Sequence, residues 1–205
     1  MKIEIRNDSV KLEGYVNAVE RFSRQIPSIR GKFIEQIVPK TFERALSKGN
    51  DVELRFNHRP DRVLGSMKQG NLTLYEDNIG LRAQCIVTDQ EVIELAKKAE
   101  LRGWSFGFVA TKDRWEDGDG IQKRYIEDMD LLEVSLLSVT PAYVGTSVES
   151  RNGETYIIES RNEEFNATVE DLTEQINEDR EEPKPIDYSL IEQEIEYFKL
   201  KQRGC

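Results

Sequence analysis

The sequence predicts an α+β, β-rich fold: an antiparallel β-domain over residues 1–150 with a few surrounding helices, then a flexible acidic tail over residues 151–205. Three observations carry this. Short runs with apolar residues at alternate positions, the period of a half-buried strand, recur between turn-forming residues. Only two stretches of the body space their apolar residues as a helix does. Charge is divided unevenly: of 29 basic and 39 acidic residues, Arg151 to Cys205 holds 7 and 15, a net −8 (7 − 15), leaving 22 and 24, a net −2 (22 − 24), for Met1 to Ser150.

In order, Ile3 and Ile5 followed by Val10 and Leu12 predict a hairpin turning at Asn7-Asp8-Ser9, whose second strand runs on through Gly14-Tyr15-Val16. Glu20 to Arg30 has few apolar anchors and reads as an exposed loop. Phe33 to Val38 leads to Pro39, suited to a first helical turn, and Thr41 to Lys48 then sets Phe42, Ala45 and Leu46 on one face before Gly49. Val52, Leu54 and Phe56 have inward parity, and His58 continues it where the strand runs out before the turn residues Pro60-Asp61. Val63 to Ser66, Leu72 to Tyr75 and Gly80 to Val87 give further strands. Thr88-Asp89-Gln90-Glu91 has the form of a capping box, opening a helix with Val92, Leu95, Ala96 and Ala99 on one face and a stop at Gly103. After the turn Asp117-Gly118-Asp119-Gly120, the last strand, Met129 to Thr140, is apolar on both faces and is closed by Pro141-Ala142-Tyr143. Glu149-Ser150-Arg151-Asn152 recurs as Glu159-Ser160-Arg161-Asn162. Beyond it lies a polar linker with Pro183 and Pro185, and then Ile191, Ile195 and Phe198 at the spacing of one amphipathic helix near 188–200.

Composition narrows the function. No basic cluster offers a phosphate-binding surface, so nucleic acid is not an expected partner. No run is long and apolar enough for a signal peptide or a membrane span, and a cytosolic protein is expected. Cys85 sits mid-strand at the parity of Leu81, Ala83 and Val87, as a core residue would, and Cys205 is terminal, so neither a disulfide nor a zinc site is expected. There is no GxxxxGK[ST] and no GxGxxG. No cofactor or metal is called for.

One stretch does suggest chemistry. In Gly103-Trp104-Ser105-Phe106-Gly107-Phe108, a strand puts the three aromatics on one face and the hydroxyl of Ser105 on the other, beside Gly107, which leaves room for something to approach. A serine needs a base within about 2.6–3.2 Å, and the base an orienting partner. His58 is the chain's single histidine. A carboxylate among apolar neighbours needs a partner, so Glu133 is a candidate for the third place, with Asp128 and Asp130 as alternatives at the start of the same strand.

Taken together, these segments resemble a known family. Phe56-Asn57-His58-Arg59-Pro60-Asp61-Arg62-Val63-Leu64-Gly65, then Trp104-Ser105-Phe106-Gly107-Phe108, then Leu132-Glu133-Val134-Ser135 running to Thr140-Pro141-Ala142-Tyr143, are similar in order to the blocks of the prohead maturation proteases of tailed bacteriophages. Phe33-Ile34-Glu35, Pro39 and Phe42 agree with it, and the resemblance covers about Lys11 to Ser150. Gly103-Trp104 departs from the usual Gly-Met type of pair and leaves the serine untouched.

The resemblance implies an antiparallel β-barrel with helices around it, like the herpesvirus assemblins, and a triad whose third member is not the usual Asp. It implies a serine endopeptidase acting in the host cytoplasm, inside the assembling procapsid. Its substrates would be scaffold or the scaffolding segment of the major capsid protein, and itself, before DNA enters. Ser105 matches the nucleophile, His58 the base and Glu133 a family carboxylate. On this reading the acidic tail tethers the enzyme to scaffold or portal and is removed by self-cleavage at the duplicated Glu-Ser-Arg-Asn. A weak homo-oligomer is expected. The competing reading is a non-enzymatic scaffold-binding or virion β-domain in which the same residues only pack.

Overall fold

A computed structural model describes residues 1–28, 31–118, 120–138, 146–151, 154–164 and 167–173, with backbone alone for 146–157 and 162–164. Met1 to Thr173 make one compact unit, and residue 150, where a boundary was expected, lies in the strand Thr146–Arg151. The linker, the helix expected near 188–200 and the segment Thr140-Pro141-Ala142-Tyr143 lie outside the described residues.

The first sheet has the order β13 (Thr168–Asp171), β1 (Lys2–Ile5), β2 (Val10–Ala18), β8 (Gly80–Val87), β7 (Leu72–Glu76). Its hairpin is the expected one: Ile5 faces Val10 and Ile3 faces Leu12, with Arg6 N–H donating to Ser9 O across the turn. The second sheet has the order β11 (Thr146–Arg151), β12 (Glu154–Glu164), β9 (Gly103–Asp117), β10 (Gln122–Leu137), β4 (Gly31–Ile37), β3 (Ile26–Ser28), and β5 (Glu53–Phe56) branches from β10 with β6 (Arg59–Ser66) beyond it.

The expected antiparallel barrel is therefore corrected to two sheets that do not close. The reason lies in β10. It is 16 residues long, and one of its edges is shared by two parallel neighbours, β4 along Gln122–Ile126 and β5 along Glu133–Leu136. An edge split between two separate strands does not carry one continuous ladder around to meet the other sheet. A third parallel pairing, β1 with β13, also departs from the all-antiparallel expectation.

One hydrophobic core joins Ile3, Leu12 and Val16 of the first sheet to Trp104, Phe106, Phe108, Val134 and Leu136 of the second. Helix α1 (Thr41–Ser47) seals it with Phe42, whose ring meets Phe106 edge-on at 5.4 Å. Burying such a side chain is worth about 1.5–3 kcal/mol. The start of α1 is capped from outside: Lys40, the N-cap residue, has left-handed φ (67°), and Glu76 of β7 accepts from Lys40 N–H and Glu43 N–H at 2.5 and 2.8 Å. The helix α2 (Gln90–Lys97) is capped by Asp89, which accepts from Val92 N–H at 3.2 Å, so the cap sits one residue later than the expected box places it. Arg62 holds both Asp89 and Glu91 outward, removing Glu91 from the box.

The turn that presents His58 also differs from expectation. Asn57 and His58, both at positive φ (52° and 59°), form a two-residue turn between β5 and β6, while Pro60 and Asp61 belong to β6. Two positive φ values in a two-residue loop match the twist of the flanking strands, and Asn and His tolerate them better than most residues.

Candidate active site

Ser105 stands on β9 directly opposite Ser135 of β10, and Gly107 opposite Glu133. Residues opposite one another in an antiparallel pair share a face with β-carbons about 5 Å apart. Ser105, Gly107, Glu133 and Ser135 therefore lie on one face, and the aromatics Trp104, Phe106 and Phe108 lie in the core on the other. A bulge produces this arrangement. Leu131 faces Phe108 and Glu133 faces Gly107, so Leu132 is an extra residue that turns Glu133 away from the core face kept by Leu131.

Glu133 is 2 % exposed. Its Oε1 lies 2.7 Å from His58 Nδ1, and its Oε2 accepts from Ser135 Oγ at 2.7 Å. Ser135 Oγ in turn accepts from His58 N–H at 3.1 Å, so the carboxylate and the histidine are tied through side chain and backbone alike. Asn57 fixes the turn. Its backbone N–H donates to Leu136 O at 2.9 Å, its Oδ1 accepts from Ser138 N–H at 2.9 Å, and its Nδ2 donates to Ser138 Oγ at 2.9 Å. Gly107 has a definite task as well: a β-carbon there would come within 2.5 Å of Glu133 Oε1. The room that the glycine leaves is taken by the Glu133 carboxylate.

Of the expected residues, His58 and Glu133 are brought together. Asp128 and Asp130 are not part of this group, since both bond to Lys48 Nζ, at 3.0 and 2.9 Å. Burial disfavours the Asp128 charge, but Lys48 and the Thr111 hydroxyl hold its carboxyl below the usual range. Ser105 is fully buried, and its hydroxyl donates to the main-chain carbonyl of Arg161 on β12 at 2.7 Å. Gly103-Trp104-Ser105-Phe106-Gly107 spells G-x-S-x-G, but it lies within β9 and not at a strand-to-helix elbow. Cys85 is 2 % exposed and its thiol is pushed up by burial, as suits a core residue and not a nucleophile.

Sequence reasoning missed Ser135, Asn57 and Ser138. The signal for Ser135 was its position two residues after Glu133, which in a strand puts both on one face. Nothing in the sequence announces that Asn57 and Ser138 meet. Among the described residues no group of three or more His, Cys, Asp or Glu side chains is gathered as a metal site requires, and no helix is long and apolar enough to cross a membrane.

Among curated proteins and solved structures no match is found. A family model described as caudovirus prohead serine protease matches residues 1–159, which takes in β1 to β11, the His58 turn, Ser105 and Glu133. That family is one of serine peptidases acting in capsid maturation within the assembling procapsid, on capsid proteins as substrates in general. The chain belongs to the family of caudovirus prohead serine proteases.

Proposed function

We propose that the protein is an endopeptidase in which Ser105 is the nucleophile, His58 the general base and Glu133 the residue that orients the imidazole. The observation that carries this reading is the 2.7 Å bond between His58 Nδ1 and Glu133 Oε1. It fixes which ring nitrogen faces the carboxylate, and a buried carboxylate beside an imidazole stabilises the imidazolium that forms during attack.

In the first step Ser105 Oγ turns from the Arg161 carbonyl and attacks the scissile carbonyl carbon, giving its proton to His58 Nε2. The tetrahedral adduct collapses as His58 passes that proton to the leaving amine, and an acyl-enzyme remains. Water, deprotonated by His58, then attacks the ester, and the proton returns to Ser105 as the acid departs. The substrates on this reading are scaffold or the scaffolding segment of the major capsid protein, and the chain itself.

The burial of Ser105 favours a second reading, a non-enzymatic scaffold-binding β-domain. Intact mass separates the two. Wild-type protein held for several days with scaffold is expected to lose discrete fragments that Ser105→Ala retains. Identical masses for the two proteins in the presence of scaffold would leave the non-enzymatic reading standing.

A further inference from the structure

The bond from Ser105 to Arg161 joins the hydroxyl that would attack a peptide to the carbonyl oxygen of one particular peptide bond, Arg161–Asn162. The strand carrying that bond, β12, lies antiparallel along β9 from Gly103 to Phe108. It is an extended peptide added to the edge of the serine's strand, the arrangement by which proteases and other peptide binders hold a chain.

The side chains of this strand are received by a built subsite. Arg161, 5 % exposed, forks onto Glu35 of β4, Nε to Oε1 at 2.7 Å and Nη2 to Oε2 at 2.9 Å, with its guanidinium 5.3 Å from the centre of the Phe108 ring. Two residues earlier, Glu159 forks onto Arg124 of β10, Oε2 from Nη1 at 2.6 Å and Oε1 from Nη2 at 2.9 Å. Glu159 also accepts from Arg161 at 2.5 Å. The body's own charges are already in contact: Arg124 bonds Glu35 at 2.9 Å and Asp113 at 2.6 Å without help from β12. Of the strand's charged side chains, the two that enter this cluster are one acid and one base, so their departure leaves the cluster's net charge unchanged.

We infer that Glu35 and Arg124 form the specificity subsite of the peptidase, selecting extended segments with Glu-x-Arg, and that the Arg carbonyl is the one presented to Ser105. This rests on the reading of Ser105 as nucleophile. In this structure the chain's own Glu159-Ser160-Arg161 fills the subsite, so Arg161–Asn162 is the bond first cut in cis, by hydrolysis that consumes one water and leaves an Arg161 carboxylate and an Asn162 amine. A planar fork selects Arg over Lys, whose single ammonium cannot bond both carboxylate oxygens in that geometry.

The test uses the full chain carrying Arg161→Lys, which keeps the buried charge while losing the fork and loosening β12. It is given internally quenched peptides of the sequence Ile-Ile-Glu-Ser-Arg-Asn-Glu-Glu, with Arg, Lys or Ala at the fifth place. The Arg peptide is expected to turn over about ten-fold faster than the others, cut after Arg, with Glu35→Gln reducing the preference to near unity. In the otherwise wild-type chain, the self-cleavage fragment is expected to end at Arg161. Binding of the same peptides to Ser105→Ala,Arg161→Lys is followed by fluorescence anisotropy. Equal turnover of the three peptides, or a cut elsewhere, overturns the subsite and leaves the peptidase standing. Binding that depends on Arg, with no turnover of any peptide by the chain that keeps Ser105, overturns the peptidase and with it the assignment of this strand as substrate.

Discussion

Nδ1 of His58 lies 2.7 Å from Oε1 of Glu133, and the other carboxylate oxygen is held by Ser135. Both oxygens therefore act as acceptors. A glutamine in that place would turn its amide NH₂ toward one of the two, and either choice breaks a bond: facing Nδ1 it selects the wrong tautomer, facing Ser135 it opposes a hydroxyl already donating. Glu133→Gln is expected to lower kcat by about 10²–10⁴-fold with KM little changed, the signature of an interaction made for the transition state. Steady-state kinetics on a scaffold-derived peptide, with circular dichroism to verify folding, makes the comparison. An unchanged kcat would remove Glu133 from the mechanism.

Gly107→Ala tests the same carboxylate from the opposite strand. Its added methyl would meet Glu133 Oε1 at 2.5 Å, closer than carbon and oxygen tolerate, while the backbone of β9 at that point is ordinary strand. Glu133 must move, and His58 loses its orienting partner. We expect activity to fall at least about ten-fold, since small misplacements near reacting groups are costly. Thermal melting should show a loss of about 1–3 kcal/mol, the range for overpacking in a tight interior. Full activity in the alanine variant would mean that the Glu133 position has slack and does not define the site.

Asn57 supports the histidine in two separable ways, by accepting left-handed φ and by its side-chain bonds to Ser138. Asn57→Gly keeps the first and loses the second. Asn57→Ala loses both, and should be less stable than the glycine variant by about 1 kcal/mol, the cost of a β-carbon in that region. Urea titration of the two variants measures the difference. Equal stabilities would show that the turn relaxes out of the left-handed region.

How far the sequence disclosed this arrangement depends on the range of the interaction. Alternation gave the hairpin of Ile3, Ile5, Val10 and Leu12, because a strand facing one core declares its parity locally. The pairing of β10 with both β4 and β5 had no local mark, so closure into a barrel could not be tested against the sequence. The parity of Glu133 would have been misread by counting, since Leu131 two residues before it lies on the opposite face across a bulge. The His58 turn was displaced by one pair because Pro60-Asp61 is strong turn chemistry, yet Pro is tolerated in β6, whose one strand partner among the described residues is β5. The repeated Glu-Ser-Arg-Asn was visible, but the partners of its second copy were not. The acid and the base of the second copy, two residues apart, meet partners on β4 and β10, more than thirty positions earlier in the chain.

The buried charges of β12 give the strand a pH dependence of definite sign. Burial disfavours the Glu159 charge, but the Arg124 hydrogen bonds and the field of Arg161 outweigh it and hold the carboxyl below its ordinary value of 4.5. A carboxyl lowered in the folded state stabilises that state fully above its unfolded value and loses the contribution as pH falls through the folded one. Arg124 and Arg161 stay charged throughout, so protonating Glu159 leaves two guanidinium groups facing each other across Glu35, with Asp113 on the far side of Arg124. Below about pH 4.5, amide protection along β12 is therefore expected to fall before protection along β2, whose ladder with β8 carries none of these charges. Hydrogen exchange resolved by segment across pH 7 to 3 reads this directly. Glu159→Gln should remove most of the pH dependence by making the strand weakly held at every pH. Loss of protection in β12 and β2 together would mean that the strand is an integral part of the cooperative unit and does not leave the β9 edge by itself.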